Sequence, residues 1–468
     1  MLKYICIALA VLIGDVVSKA AFPMPRLAQT CTHMVVRRDI VTLSAEEQQR
    51  FFRVVREMHR RGWMDGFGSM HDHISHQVHG SDHFFAWHRR FLRHFETLMQ
   101  EIDPHAVLPY WNWGSYWQNP LADPVLSSAF FGGNGRPGDN CVVDGTEARW
   151  GRNYPTKSCL TRKYRYGTGT GSFWPMRAVR DVMKTTKTHA QFRSRIENGA
   201  HGIVHLGLGG DFETMWAPVD VLFFLHHAMI DKVWAEWQTH DPLRFQNVDG
   251  TDSFRRPVTA DSIMPFYGED VGSTLVTNGP GYCYTYDDLP APPSVPRNKP
   301  KVMISMNTLA NATSENFGAE APAQDDTRGL SEDAEQPAAA DPQAADPQPA
   351  ADSQPAEEEQ PAEGFFARGH NSGPKFSAGS FAKAHRPNSQ FAEGFYVKGR
   401  NPDAKFSDEP NDSGHDDAKF ADFVPPQPMD HDWLQQSHYD PAEAARMQSL
   451  VSNVVAEINA ERRQVVAN

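Results

Sequence analysis

The sequence predicts a mainly α fold, a four-helix bundle with long irregular loops, followed by a largely disordered C-terminal tail. Three observations predict it. His201 and His205 stand four apart, and after a glycine-broken loop Ile230, Val233, Trp234 and Trp237 recur at helical spacing behind His226-His227. The run His88 to Ile102 has the same build, with Phe91, Leu92, Phe95, Leu98, Met99 and Ile102 on one face. Beyond Pro290 the composition shifts: residues 318–364 hold thirteen acidic side chains and one basic, nearly all of the chain's net charge of −13. A segment so poor in apolar residues cannot bury enough surface to order itself.

The histidines set the chemistry. His201 and His205 project from one helix face, and His227 heads a facing helix, which makes a three-imidazole site inside a bundle. Residues 70–94 hold seven more, His71, His73, His76, His79, His83, His88 and His94, and spacing alone does not say which would bind a metal. His88 heads its helix as His227 heads the later one. Neutral imidazoles suit copper, zinc, iron or nickel. Two all-histidine sites without a carboxylate argue against a di-iron or di-zinc hydrolase, and a single such site would suggest catalytic zinc.

Taken in order, Lys3, the apolar run Tyr4 to Gly14 and the small residues Ser18 and Ala20 read as a secretory signal over residues 1–20. No later stretch is long and apolar enough to cross a membrane. Export leaves Cys31, Cys141, Cys159 and Cys283, an even set that favours two disulfides. Cys141 and Cys159 share one Gly-rich insertion and are paired on that ground; Cys31 with Cys283 then ties the ends of the core. Ser44 with Glu47 three residues on is a capping box, followed by Phe51, Phe52, Val55 and Met58 at helical spacing. Residues 114–172 read as loop ordered by a disulfide, helix resumes over 175–198, and 282–288 read as a short strand. The repeat AEGFFARGHNSGPKFS at 362–377 returns as AEGFYVKGRNPDAKFS at 392–407, with a degenerate third copy at 418–423. Two copies and a fragment are too few for a solenoid. From Asp440 a clean helix carries Met447, Leu450, Val451, Val454, Val455 and Ile458 on one face, a stripe that docks on the core or on another chain. Asn311 and Asn411 are candidate glycosylation sites. The expected domains are therefore a signal (1–20), a catalytic domain (21–290), an acidic linker (291–364), a Phe-containing repeat tail (365–439) and a terminal helix (440–468).

The two histidine sets resemble those of the type 3 copper family of tyrosinases, catechol oxidases and mollusc-type haemocyanins. The string from His79 through Gly-Ser-Asp-His-Phe-Phe-Ala-Trp to His88 is similar to the family's first copper motif. Phe224-Leu-His-His-Ala-Met-Ile-Asp-Lys-Val-Trp-Ala-Glu-Trp237 is similar to the second, in which the second histidine is the ligand. The resemblance covers residues 37–290. It implies two copper ions, one held by His71, His79 and His88, with His73 the rival of His71, and the other by His201, His205 and His227. It also implies a fold and an activity: a helical bundle around a dicopper centre, in a secreted enzyme that uses O2 to oxidise small o-diphenols to o-quinones. No nucleic acid enters that reading. A haemocyanin-like O2 carrier is the alternative; such carriers are long arrays of units, and this chain has one. The departures are Ala86, where the family has Pro, and Gln77 with no cysteine near His79, so that the thioether of plant and mollusc members is not expected.

Further roles follow from the resemblance. Asp220, seven residues before His227, reads as an imidazole orienter or a helix cap, and Phe84 as packing on a ligand ring. In tyrosinase-like relatives a Glu and an Asn hold a water that takes the proton of an incoming monophenol. Such a base matters because an ordinary phenol, with a pKa of about 10, is protonated at neutral pH. Glu197 fits the first part. Gly202 stands where bacterial tyrosinases carry the Asn and has no side chain to orient water, so strong catechol oxidation with weak monophenol hydroxylation is expected. Family members often carry C-terminal extensions that cover the copper site; here the tail is expected to do so or to bind another protein.

Overall fold

The capping box at Ser44 forms as read: the Glu47 amide donates to the Ser44 hydroxyl at 3.3 Å and the Ser44 amide to the Glu47 carboxylate at 2.9 Å. It opens α1 (Ala45–Arg60), which buries Phe51, Phe52, Val55 and Met58. The structure, a computed structural model, describes residues 22–27, 30–290 and 421–467. These belong to one unit. The expected signal (1–20), the acidic linker (291–364) and both full repeats lie outside the described residues.

After a left-handed turn at Gly62, where φ is 74°, α2 runs Trp63–Val78. A short turn leads to α3 (Phe84–Ile102). α4 (Met176–Thr185) and α5 (His189–Ile196) follow, then a π turn at Glu197–His201 and α6 (Gly202–Leu208). α7 (Leu222–Thr239) completes the bundle against α3. The periodicity predicted one buried stripe on α7, yet every residue from Leu222 to Gln238 is buried. Three of its polar side chains are paired inside. Asp231 accepts from Arg89 at 2.5 Å, Lys232 donates to Asp288 at 2.9 Å, and Gln238 accepts from Arg89 at 3.1 Å. An α-helix buried all round is the core of the domain.

Strand pairing is slight. β1 (Val35–Arg37) pairs in parallel with β4 (Tyr284–Tyr286), beside the disulfide Cys31–Cys283. β2 (Gly151–Arg152) and β3 (Ser158–Cys159) pair antiparallel next to the disulfide Cys141–Cys159. The loop 114–172 is not ordered by that disulfide alone. It buries Trp117, Phe131, Leu160 and Tyr164, and centres on Arg162, whose guanidinium is 0% exposed. Arg162 donates to Asp220 at 2.7 and 3.0 Å and to Glu147, tying the loop to the start of α7. Among the described residues no helix is long and apolar enough to cross a membrane.

The terminal segment lies on the core. α8 (His431–Gln436) precedes α9 (Pro441–Ala467), which packs on α4, α5 and the π turn. Met447, Val451, Val454 and Val455 are buried there, and Arg177 pairs with Glu457 and Glu461 at 3.0 and 2.9 Å. Phe423 packs edge-on against Trp117 with ring centroids 5.1 Å apart.

Replacing Arg162 by Leu leaves Glu147 and Asp220 buried without their cation. A loss of about 3–5 kcal/mol in stability is expected, because a buried carboxylate without a partner retains its full desolvation penalty. Urea unfolding followed by circular dichroism measures it.

Candidate metal centre

Backbone carbonyls aim three of the imidazoles inward by taking the outer nitrogen of each. His71 Nδ1 bonds the Met215 carbonyl at 2.5 Å, His88 Nδ1 the Phe84 carbonyl at 2.8 Å, and His205 Nδ1 the Phe212 carbonyl at 2.7 Å. An imidazole whose Nδ1–H donates to a carbonyl leaves Nε2 as a free lone pair. Those lone pairs converge. His71 Nε2 lies 3.1 Å from His79 Nε2 and 3.3 Å from His88 Nε2. His227 Nε2 lies 3.2 Å from His201 Nε2 and 3.3 Å from His205 Nε2. The two groups meet face to face, with His88 and His227 stacked at a centroid distance of 4.5 Å and His79 and His201 at 6.0 Å.

All six rings are buried. Burial pulls His71 down to about 4 and His205 to about 3, and holds His79, His88, His201 and His227 well below the ordinary value, the neighbouring imidazoles adding to the effect. Six neutral imidazoles with converging lone pairs and no proton to share are a donor set for a soft or borderline cation pair.

The remaining histidines sort by position. His73 is exposed and bonds the Ser69 carbonyl at 2.7 Å, on the solvent side of α2. His83 sits at the start of α3 and His94 bonds the Pro23 carbonyl at 2.8 Å, both outside the cluster. His226 is nearer: one of its nitrogens lies within 4.8 Å of those of His201, His205 and His227. It stacks on His201 at 5.3 Å, but the short Nε2 contacts run through His227.

Around the rings Phe84 packs 4.6 Å from His88 and 5.0 Å from His201. Phe223 stacks on His227 at 4.0 Å. Asp220 does not reach an imidazole. It caps α7 through the Leu222 amide at 2.8 Å and pairs with Arg162, so its place is structural. Glu197 and His201, at the two ends of the π turn, both face the site. One Glu197 oxygen accepts from the Gly80 amide at 2.9 Å and lies 3.2 Å from His79 Nδ1; the other accepts from Arg193 at 2.9 Å. Burial pushes this carboxyl up.

Sequence reasoning did not single out Tyr439, although it begins the turn into a predicted helix. Its ring is buried, 5.9 Å from His201 and 6.4 Å from His79, and with His201 Nε2 facing inward the Nδ1–H donates to the Tyr439 hydroxyl at 2.9 Å. Burial, with the Glu197 charge adding to it, holds this phenol well above its ordinary range. Gly202 lies under the same ring: a Cβ there would sit 2.6 Å from Tyr439 Cε2 and 3.0 Å from Met429 Sδ. The Asp440 amide donates to Asn198 at 2.6 Å, so the segment is pinned beside the π turn.

Comparison with known proteins places this geometry. The family described as the common central domain of tyrosinase matches residues 49–240. A tyrosinase of Streptomyces antibioticus is 34% identical over 233 residues, 45% of this chain and 85% of that protein. The chain belongs to the tyrosinase family. A grixazone synthase of Streptomyces griseus is 30% identical over 263 residues, 44% of this chain and 85% of that protein. A solved polyphenol oxidase from Thermothelomyces thermophila covers 54% of this chain and 88% of its own at 21% identity, with a TM-score of 0.46. This family member is a copper oxidoreductase of the tyrosinase type. Membership implies a dinuclear copper site, and the two histidine groups provide donors for it.

Replacing His88 or His205 by Ala is expected to remove at least one of two copper equivalents, whereas His73→Ala keeps both. Metal analysis of the purified chains checks this. Loss of copper in His226→Ala with retention in His227→Ala would shift the donor assignment by one residue.

Proposed function

We propose that the protein is a secreted phenol oxidase that uses O2 to oxidise small o-diphenols to o-quinones, with weak monophenol hydroxylation. One copper would be held by His71, His79 and His88 and the other by His201, His205 and His227. The observation that carries this is the convergence of six imidazole Nε2 atoms in two facing groups. Copper supplies the redox couple with O2 when bound. The chain's part is to keep the imidazoles neutral and aimed, and to shield them with Phe84 and Phe223. Each o-diphenol leaves two electrons and two protons behind as it becomes the quinone, so a proton acceptor is needed near the rings. Glu197 is the buried carboxylate in reach, and three donors already occupy it. Gly202 adds no amide beside it. Both features favour catechols, which need less help in losing a proton than monophenols do. Two disulfides support export to an oxidising compartment.

The C-terminal segment is, in this reading, a plug. Tyr439 lies against both His79 and His201 as a protonated phenol, and α9 holds it there through an apolar face and ion pairs to Arg177.

Copper analysis with oxygen uptake on a catechol tests the activity; a copper-loaded chain that binds O2 without consuming catechol, plug removed, would make it a carrier. Ending the chain near residue 290 is expected to raise catechol turnover on the order of tenfold or more, each 1.4 kcal/mol of docking energy being a factor of ten. Tyr439→Ala should raise it in part. Unchanged turnover in both would make the segment an assembly module. Gly202→Asn is expected to raise the monophenol rate relative to the catechol rate in the shortened chain. In the full chain the new side chain must first displace Tyr439, so there both rates rise together. Tyramine hydroxylation by the unmutated shortened chain as fast as dopamine oxidation would refute the assigned role of Gly202.

A further inference from the structure

Five of the six site imidazoles are carried by helical backbone: His71 by α2, His88 by α3, His201 by the π turn, His205 by α6 and His227 by α7. His79 is different. It follows the last turn of α2 with φ −86° and ψ 146°, so no helix fixes the direction of its ring. Its outer nitrogen differs as well. His71, His88 and His205 use backbone carbonyls, whereas His79 Nδ1 faces the Glu197 carboxylate at 3.2 Å.

That carboxylate is itself held. The Arg193 Nη1 donates to its second oxygen at 2.9 Å, and the Arg193 Nε donates to Asp82 at 3.0 Å. Asp82 takes the Thr251 amide on its other oxygen at 2.7 Å. Glu197 and Asp82 are buried, and the Arg193 side chain is 11% exposed. A chain of charge-assisted bonds therefore runs from the 251 loop through Asp82, Arg193 and Glu197 to His79. It links the loop between α2 and α3 to the helix that leads into His201.

We propose that Arg193 is a positioning residue of the copper centre, fixing the Glu197 carboxylate against His79 Nδ1 so that His79 Nε2 stays aimed at its metal. This rests on the donor assignment proposed above. The guanidinium suits the task because its Nε and Nη1 protons point in different fixed directions and serve two carboxylates at once; a lysine ammonium is a single point charge on a flexible stem. Partners that orient a metal-bound histidine commonly matter by about 10- to 100-fold in metal affinity.

The test is copper titration of the full-length apo chain against a competing chelator, with far-UV circular dichroism to confirm folding. In Arg193→Gln one of the two coppers is expected to bind about 10- to 100-fold more weakly while the other is unchanged. Arg193→Lys, which keeps the charge without the fork, should recover part of that loss, and decides the matter if the Gln variant does not fold. Arg195→Gln, on the same helix but paired with Glu443, should bind both coppers as the wild type does. Wild-type affinity at both coppers in both Arg193 variants overturns the proposal alone, as does equal weakening of the two. A wild-type chain that takes up no copper overturns the donor assignment and this proposal with it.

Discussion

The structure depends on keeping six imidazoles buried and uncharged around one small space. A protonated ring there would face its neighbours' nitrogens at little more than 3 Å. The fold meets the constraint by giving most of the outer nitrogens a carbonyl or carboxylate, which settles the tautomer and leaves the inner lone pairs unprotonated. Such convergence is costly in an empty protein and favourable around a cation pair, so the folded core and the metal stabilise each other.

Rigidity for that arrangement comes from charged pairs buried behind the rings. Arg37 joins Glu96 at 2.8 Å, Arg89 joins Asp231 at 2.5 Å, and the Tyr284 and Tyr286 hydroxyls donate to Asp231. These bonds tie α3 to α7 and to the strand pair that the disulfide Cys31–Cys283 secures. Buried pairs of this kind add little net stability over apolar packing, but any register shift between α3 and α7 would strand a charge. They specify alignment, and alignment is what sets His88 against His227.

The terminal segment reaches the site from outside. Its Tyr439 hydroxyl meets the outer nitrogen of His201, while its apolar helix packs on α4, α5 and the π turn. The helix is held by its own apolar face and ion pairs, so the Tyr439 side chain can be altered without removing the helix from the core. Gly202 belongs to both stories, since its missing side chain leaves the room that Tyr439 fills.

Much of this was legible in the sequence. The 3.6-residue periodicity marks the helices, the spacing of His201, His205 and His227 marks one donor group, and the flanking strings mark the family, because these signals are local. The capping box at Ser44 and the Cys141–Cys159 pair were readable for the same reason, and Cys31–Cys283, 252 residues apart, followed as the remaining pair. Spacing did not separate His71 from His73; the turn of α2 did, by burying one ring and exposing the other. Asp220 lay at a plausible distance along the chain but is claimed by Arg162, a partner 58 residues away that no local pattern reveals. The all-round burial of α7, the link from Asp82 through Arg193 to His79, and the seat of Tyr439 beside His201 depend likewise on contacts between segments far apart in sequence. Sequence by itself determined the helices, the family and the candidate donor residues, since these are written in residue type and period. Only the tertiary structure decided which of them meet, because burial and pairing are properties of the packed chain.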